Sequence, residues 1–416
     1  MGSSKVRDIV SSFELCGSVE ISEFKGKGNI NRESYLVIAG PAGDRKEYIL
    51  QRLNSNVFAQ PRRVMQAMIS CIEAQRKALS EGVLRGNREW ETIRLIPTKE
   101  GNAFLELGGD APECWRMMAR IPEVHSYRSL GEIPDHGKRL QVAEEAGSGL
   151  ALFRILTAGM NASRIADPLP GYHDTNLYYN QLLSVLAGCR TPEEALQYLP
   201  EDPIVRRSTQ PHFLVHIPSG EYRRRRWDPE LAPFISLALE QKSFALTIAG
   251  KLAAGDLQKT VIHGDTKLDN FLFSNYSGKV RTIVDLDTIM PHTWLTDWGD
   301  MARSLANAAG EREADPEKIE IDPEIFRAGA RGFLKSSREL PPEEIELMTD
   351  AAEIMALELG IRFLADYMRG DSYFNLKPAD PRDLNKTRSM VQFRVFEGLR
   401  KFSRSARHYI EELSSR

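Results

Sequence analysis

Residues 261–273, VIHGDTKLDNFLF, put an aspartate, a lysine, a second aspartate and an asparagine into one short turn between apolar ends. Asp265 is followed two positions on by Lys267 and five positions on by Asn270. The next apolar run, VRTIV, ends at Asp285, with Asp287 just beyond. These types in this order suit phosphoryl transfer, which asks a protein for positioning and charge neutralisation. One carboxylate must accept the proton of an attacking hydroxyl, and Asp265 is the candidate base. A cation must steady the transferring phosphate, and Lys267 can reach it. An amide oxygen and a second carboxylate must hold Mg²⁺, a hard cation that prefers oxygen ligands and keeps some of its waters. Asn270 and Asp285 are the candidates. His263 is placed to brace the turn through hydrogen bonds.

The elements around the turn read as a small β unit. TVIH, NFLFS and KVRTIVDLD are short strands, with NYSGK as a hairpin loop. The D-x-x-x-x-N spacing is that of the protein-kinase catalytic loop. TDWGD (296–300) imitates the metal-binding D-F-G of kinases, but Asp297 follows MPHTWL, which does not read as a strand. Asp285 follows a β run and keeps the metal role. Asp297 and Asp300 are expected to support the loop or cap a helix.

Upstream, VEISEFKGKGNINRESYLVIAG gives two strands around a Gly/Asn turn, and KEYILQRL gives a third. Pro61 opens a helix through PRRVMQAMISCIEAQRKALSEG, with Val64, Met68 and Ile72 on one face and Gly82 as its end. ETIRLIPT, NAFLEL and ECWRMMARI read as further strands. After Pro122 the pattern turns helical: DHGKRLQVAEEAGSGLALFRIL, DPELAPFISLALEQKSFALTIAGKL, PPEEIELMTDAAEIMALELGIRFLADYM and the C-terminal LNKTRSMVQFRVFEGLRKFSRSARHYIEEL. The third has apolar positions at steps of three and four, one face of an amphipathic helix. Residues 310–324 read as an acidic loop. YRRRRW (222–227) reads as a solvated loop or surface salt-bridge partner, with an anion-docking patch as the sharper alternative.

HGDTKLDNFLF…IVDLD resembles the signature of the aminoglycoside phosphotransferase and choline kinase superfamily. Within that group the chain is most similar to N-acetylhexosamine 1-kinases, through GNINRESYLV, YILQRLNSNVF, GYHDT, VDLDTIMP, DWGD and GIRFLADYMRGDSYF. The resemblance implies an α+β, bilobal, protein-kinase-like fold. Residues 1–120 would form an N-terminal antiparallel sheet plus helix covering the nucleotide. Residues 121–416 would form a larger, mostly helical catalytic and acceptor-binding lobe. It implies ATP and Mg²⁺ as cofactors, and a hydroxyl acceptor that is small and polar, most similar to an amino sugar phosphorylated at its anomeric hydroxyl.

The same resemblance assigns the nucleotide side. FKGKGNINRESY would cover the phosphates, with Gly26 and Gly28 allowing close backbone approach and Asn29 and Asn31 beside them. A lysine is expected on the third strand, but Gln51 stands there and Arg52 follows. Alternation sends these two to opposite faces, so either Gln51 makes an uncharged contact or Arg52 turns in. The partner glutamate of the helix has no clear counterpart, Gln66 and Glu73 being the nearest. Met118–Pro122 would be the hinge that meets adenine. On the acceptor side, His173 and Asp174 of GYHDT would bond sugar hydroxyls, although Asp-Thr before a helix is equally an N-cap. Arg362 and Tyr367 would line the cleft, five residues apart and so not quite on one face. An aminoglycoside, choline or homoserine acceptor stays open, as does a nucleotide-binding scaffold without catalysis, which Gln51 and Gln66 favour.

The 416 residues carry 27% charged and 42% hydrophobic residues, ordinary for a globular protein of this length. A net charge of −3 gives no reason to expect nucleic acid or an anionic membrane as partner. No apolar run long enough for a membrane span and no secretory start is read, so a cytoplasmic location is expected. Cys16, Cys71, Cys114 and Cys189 are scattered, which fits a reducing compartment.

Overall fold

A computed structural model describes residues 3–25, 30–31, 33–84, 88–108 and 113–414. Five antiparallel strands form the N-terminal sheet: β1 (Ser18–Glu23), β2 (Ser34–Gly40), β3 (Lys46–Arg52), β4 (Leu105–Leu107) and β5 (Glu113–Ala119), in the order β1-β2-β3-β5-β4. Alternation gives the sheet two different faces. Val37, Leu50, Trp115 and Met117 pack against Val6, Ile9 and Val10 of an N-terminal helix, α1 (Ser3–Ser11), which the sequence reading did not anticipate. The residues between them face α2 (Pro61–Ser80), whose buried Val64, Met68 and Ile72 are the stripe expected from the sequence.

ETIRLIPT is not a strand. It touches the sheet through isolated bridges, Leu95 to Met118 and Thr98 to Phe13. Pro97 has no N–H to donate, and the chain turns at Thr98–Gly101, with Gly101 at φ +82°. It rejoins the edge of β5 as β4, opposite Trp115.

Beyond the sheet, β6 (Val124–His125) pairs with β8 (Phe271–Ser274), and β8 pairs with β9 (Val280–Ile283) as the expected hairpin. β7 (Thr260–Ile262) pairs with β10 (Met290–His292). This corrects the reading of MPHTWL: its first three residues are a strand, and Pro291 is accommodated in a ladder three pairs long.

The rest is helical. α3 (His136–Thr157) starts at Asp135, whose carboxylate accepts from Lys138 N–H at 2.7 Å. α4 (Thr175–Ala187) starts at Asp174 in the same way. The stretch expected as one helix over 228–252 is three short ones, broken at Gln241 and Leu246, where ψ swings to 5° and 0°. The helix Met348–Arg369 is no half-exposed amphipathic element. It is buried on nearly every side, and its charged residues are paired: Glu353 with Arg400, Asp366 with Arg369, Glu358 with His173. The YRRRRW run is not a loop but the end of helix Ser219–Arg226, with Arg224 and Arg225 paired to Glu221. Among the described residues, no helix is long and apolar enough to cross a membrane.

Candidate active site

The turn after β7 is held by side chains at each of its backbone polar groups from His263 to Asp265. Asp297, in helix Trp294–Ala306, accepts from His263 N–H (2.7 Å) and Gly264 N–H (2.8 Å). Thr288 Oγ1 donates to His263 O (2.8 Å) and His173 Nε2 donates to Gly264 O (2.8 Å). Asp265 N–H donates to His263 Nδ1 (3.2 Å), and Asn270 Nδ2 donates to Asp265 O (2.7 Å). Gly264 sits at φ +81°, where a Cβ would lie 2.6 Å from Thr288 O, so no other residue fits without movement. The loop is therefore set before any ligand arrives.

The two histidines of this network carry different charge. His263 Nε2 donates to Val284 O (2.9 Å) while Nδ1 accepts, which makes it neutral, and burial lowers its pKa to about 4. His173 donates from both nitrogens, to Gly264 O and to Glu358 Oε1 (2.9 Å). Burial opposes its charge, but the Glu358 carboxylate outweighs burial and raises its pKa.

This corrects the expectation for His173. It is buried, with both ring nitrogens engaged by Glu358 and Gly264, so it braces the turn after β7 and offers no free ring nitrogen to a sugar. Asp174 takes the N-cap alternative, accepting from Leu177 N–H at 2.9 Å. His173→Ala is expected to destabilise by about 3–5 kcal/mol, because Glu358 is left as an unpaired buried charge. The apparent KM for the acceptor should stay unchanged. Calorimetry and steady-state kinetics check both parts, and a raised acceptor KM with an unaltered Tm would restore the sugar-binding role.

Asp265 Oδ2 is bonded by Lys267 Nζ and by Asn270 Nδ2 (3.1 Å), and the carboxylate is 23% exposed at the cleft. Burial works against its charge, but Lys267 beside it wins and holds its pKa below the ordinary aspartate value. Across the hairpin, Phe271 pairs with Ile283, and Val284 N–H donates to Asn270 O (2.9 Å), so Asn270 and Asp285 come to one end. Asp285 adopts φ +68° and keeps its tip open to solvent. The protein mass around it, then Asp287 and Asp265, raise its pKa to about 7.

Neither Asp285's carboxylate nor Asn270 Oδ1 takes a hydrogen bond from a described residue, while the Asn270 nitrogen is fully engaged. Two oxygen donors left without protein partners in an electronegative corner fit a hard divalent cation.

Asp300 belongs to the support. Arg303 Nε donates to it at 2.9 Å, and Leu268 N–H is held by Ser304 of the same helix.

On the sheet side, Gly26, Gly28 and Asn29 lie outside the described residues. Arg52 turns outward to Glu33 (2.6 Å), which leaves Gln51 on the cleft side. Gln51 Oε1 accepts from Arg116, its partner directly across the ladder, and Asn31 Nδ2 donates to Asp287 Oδ2 (2.6 Å). Gln66 and Glu73 are exposed, so neither supplies the helix carboxylate. Met118 lies within β5 opposite Ile49. The strand runs on through Ala119, so the connecting backbone starts at Arg120 rather than Met118.

Tyr367 is another correction. Its hydroxyl donates to Asp383 (3.1 Å) and its ring lies under the Arg225 guanidinium, 4.5 Å from the centroid. The tyrosines that meet Arg362 are Tyr172, Tyr178 and Tyr373, at 5.0, 4.8 and 5.8 Å, with Phe374 at 5.4 Å. Among the described residues, Arg362 has no hydrogen bond and no ion pair. Tyr172 feels the charge of Asp265, so this cage lies near the turn after β7; burial is the larger cause of its raised pKa.

Sequence reasoning missed Arg116, Tyr172 and Tyr373. The one available signal was Arg116 itself, a lone charge among the apolar residues of CWRMMA.

Two solved structures share this architecture over nearly the whole chain. A microcompartment-associated aminopropanol kinase is 12% identical with a TM-score of 0.56, covering 97% of this chain and 98% of its own. The amicoumacin kinase hAmiN, in complex with AMP-PNP, Ca²⁺ and Ami, is 11% identical with a TM-score of 0.53, covering 94% of each chain. At such identity the likeness speaks for the fold, a bilobal kinase-like α+β arrangement. The sequence itself matches the phosphotransferase enzyme family (APH) over residues 26–321, a span that starts just after β1, ends within the acidic stretch 310–324 and takes in the clamped turn, Asn270 and Asp285. With most of its length matched and these groups inside the match, the chain belongs to the phosphotransferase enzyme family.

Proposed function

We propose that the protein transfers the γ-phosphoryl group of MgATP to a hydroxyl of a small polar acceptor. The observation that carries this reading is the meeting of Asp265, Lys267, Asn270 and Asp285 around one rigid turn, with two oxygen donors left over for a cation. Asp265 orients the acceptor hydroxyl and takes its proton. Lys267, held against Asp265, steadies the transferring phosphate. Asn270 and Asp285 would hold Mg²⁺, which would supply positive charge to offset that of the phosphate groups. Residues 1–120 cover the nucleotide, and 121–416 carry the catalytic and acceptor groups. The free cysteines agree with a cytoplasmic setting.

For the acceptor, we favour the anomeric hydroxyl of an N-acetylhexosamine. Among the described residues Arg362 makes no ion pair, though the Glu358 carboxylate is near enough to act on it, and it is set among three tyrosines and a phenylalanine, of which Tyr172 feels the charge of Asp265. A cationic acceptor would be repelled there, whereas a neutral sugar can lie on aromatic faces and accept from the guanidinium. The second reading is an amino-alcohol or aminoglycoside kinase, supported by the fold shared with an aminopropanol kinase. ATP consumption against a panel of N-acetylhexosamines, amino alcohols and aminoglycosides decides between them. Turnover confined to the sugars is expected. Turnover confined to the amines overturns the acceptor assignment, and no turnover with any acceptor favours a scaffold.

A further inference from the structure

No lysine stands at the expected position of β3, but a cation stands opposite it on the neighbouring strand. Gln51 occupies the expected position, and the residue exactly opposite it in the β3–β5 ladder is Arg116. Arg116 is 1% exposed. Its Nε and Nη2 both donate to Gln51 Oε1, at 3.1 and 2.5 Å, and Gln51 Nε2 donates to Ser34 Oγ (3.1 Å). Its Nη1 donates to Asp287 Oδ1 and also contacts Met68 Sδ on α2 at 3.3 Å.

Asp287 is equally buried. Its second oxygen accepts from Asn31, and Asn31 Oδ1 accepts from Asn54 N–H (2.9 Å). The N-terminal sheet and its loops thus grip one acid of the C-terminal part. That acid sits in the same short turn as Asp285, which adopts a left-handed backbone and is exposed.

Building on the kinase reading above, we propose that Arg116 takes the place of the strand lysine as a positioning residue, holding Asp287 and through it the metal-binding Asp285, and does not itself bind phosphate. Three features support this. All three guanidinium nitrogens already have protein partners, so none is offered to the cleft. A planar fork is needed to serve Gln51 and Asp287 at fixed angles, which one flexible ammonium does poorly. And pairing Asp287 with a cation removes one of three neighbouring carboxylates from competition for the metal, leaving Asp285 to face it.

Mn²⁺ affinity, read by electron paramagnetic resonance with AMP-PNP present, tests this without turnover. In R116M we expect Mn²⁺ to bind about tenfold or more weakly, the usual size when a partner of a metal ligand is removed. Metal-free AMP-PNP affinity should stay within about twofold. D287N should match R116M, and the double variant should be no weaker than either. If R116M does not fold, R116K and D287N carry the comparison, D287N again weakening Mn²⁺ about tenfold or more and R116K weakening it detectably but less. Unchanged Mn²⁺ affinity overturns the proposal. So does a loss confined to metal-free nucleotide, which would make Arg116 a phosphate ligand. A wild-type protein that binds Mn²⁺ with AMP-PNP but consumes no ATP refutes the kinase reading alone. One that binds no Mn²⁺ refutes both.

Discussion

Asp265→Asn is expected to lower kcat by about a thousandfold, within the usual range for loss of a general base, with Tm changed by little. The reason lies in how the turn is held. Its backbone is fixed by Asp297, Thr288, His173, His263 and Asn270, none of which depends on the charge of Asp265. An amide keeps the shape and one acceptor oxygen but cannot take a proton. Lys267 then loses its anionic partner and stays at the cleft, where it can still meet phosphate, so KM for ATP should move by less than about threefold. Steady-state kinetics with the acceptor found by panel screening and a thermal melt check both halves. Near-normal turnover would remove Asp265 from the mechanism.

The residues doing the proposed chemistry were legible because reactions constrain type and spacing together. D-x-x-x-x-N followed by a strand and an acid is a local pattern, and the structure brings Asp265, Asn270 and Asp285 to one place. β2, β3 and α2 were legible through alternation and a buried stripe, whereas ETIRLIPT was over-read as a strand and Met290–His292 was not read as one.

What failed was long-range. His173 looked like a ligand for substrate because nothing local shows that Glu358, far along the chain, will meet it. Tyr367 and Tyr373 are both near the right helix end, and only packing decides that the first turns to Asp383 and the second to Arg362. Arg116 pairs with a residue 171 positions away. A sequence shows a lone charge in a buried strand but not its partner. The expected amphipathic helix over 341–368 failed for a related reason: its charged residues are buried in pairs, and pairing is invisible to periodicity.

Asp297→Ala should be the most damaging change to the turn outside the reacting groups. Two buried backbone donors, His263 N–H and Gly264 N–H, lose the acceptors they have among the described residues, at about 1–3 kcal/mol each. A loss of about 2–6 kcal/mol is expected in a denaturant titration, and kcat should fall by about a hundredfold as the turn loosens around Asp265. Asp297→Asn removes the ionisable group and one of the two acceptors, since its amide nitrogen can only donate. Burial raises the Asp297 pKa to about 7 in spite of the two N–H donors, against an ordinary value near 4. Between those values the unfolded chain has released the proton that the native protein still holds. The native state therefore binds more protons, and this group's contribution to stability declines as pH rises from about 4 to about 7, then levels off. Asparagine cannot ionise, so D297N should melt with a weaker pH dependence across that window than wild type, and compare best with it near pH 8. If wild type and D297N lose stability in parallel from pH 4 to 7, the Asp297 carboxyl is ionised throughout, and it grips the turn as an anion.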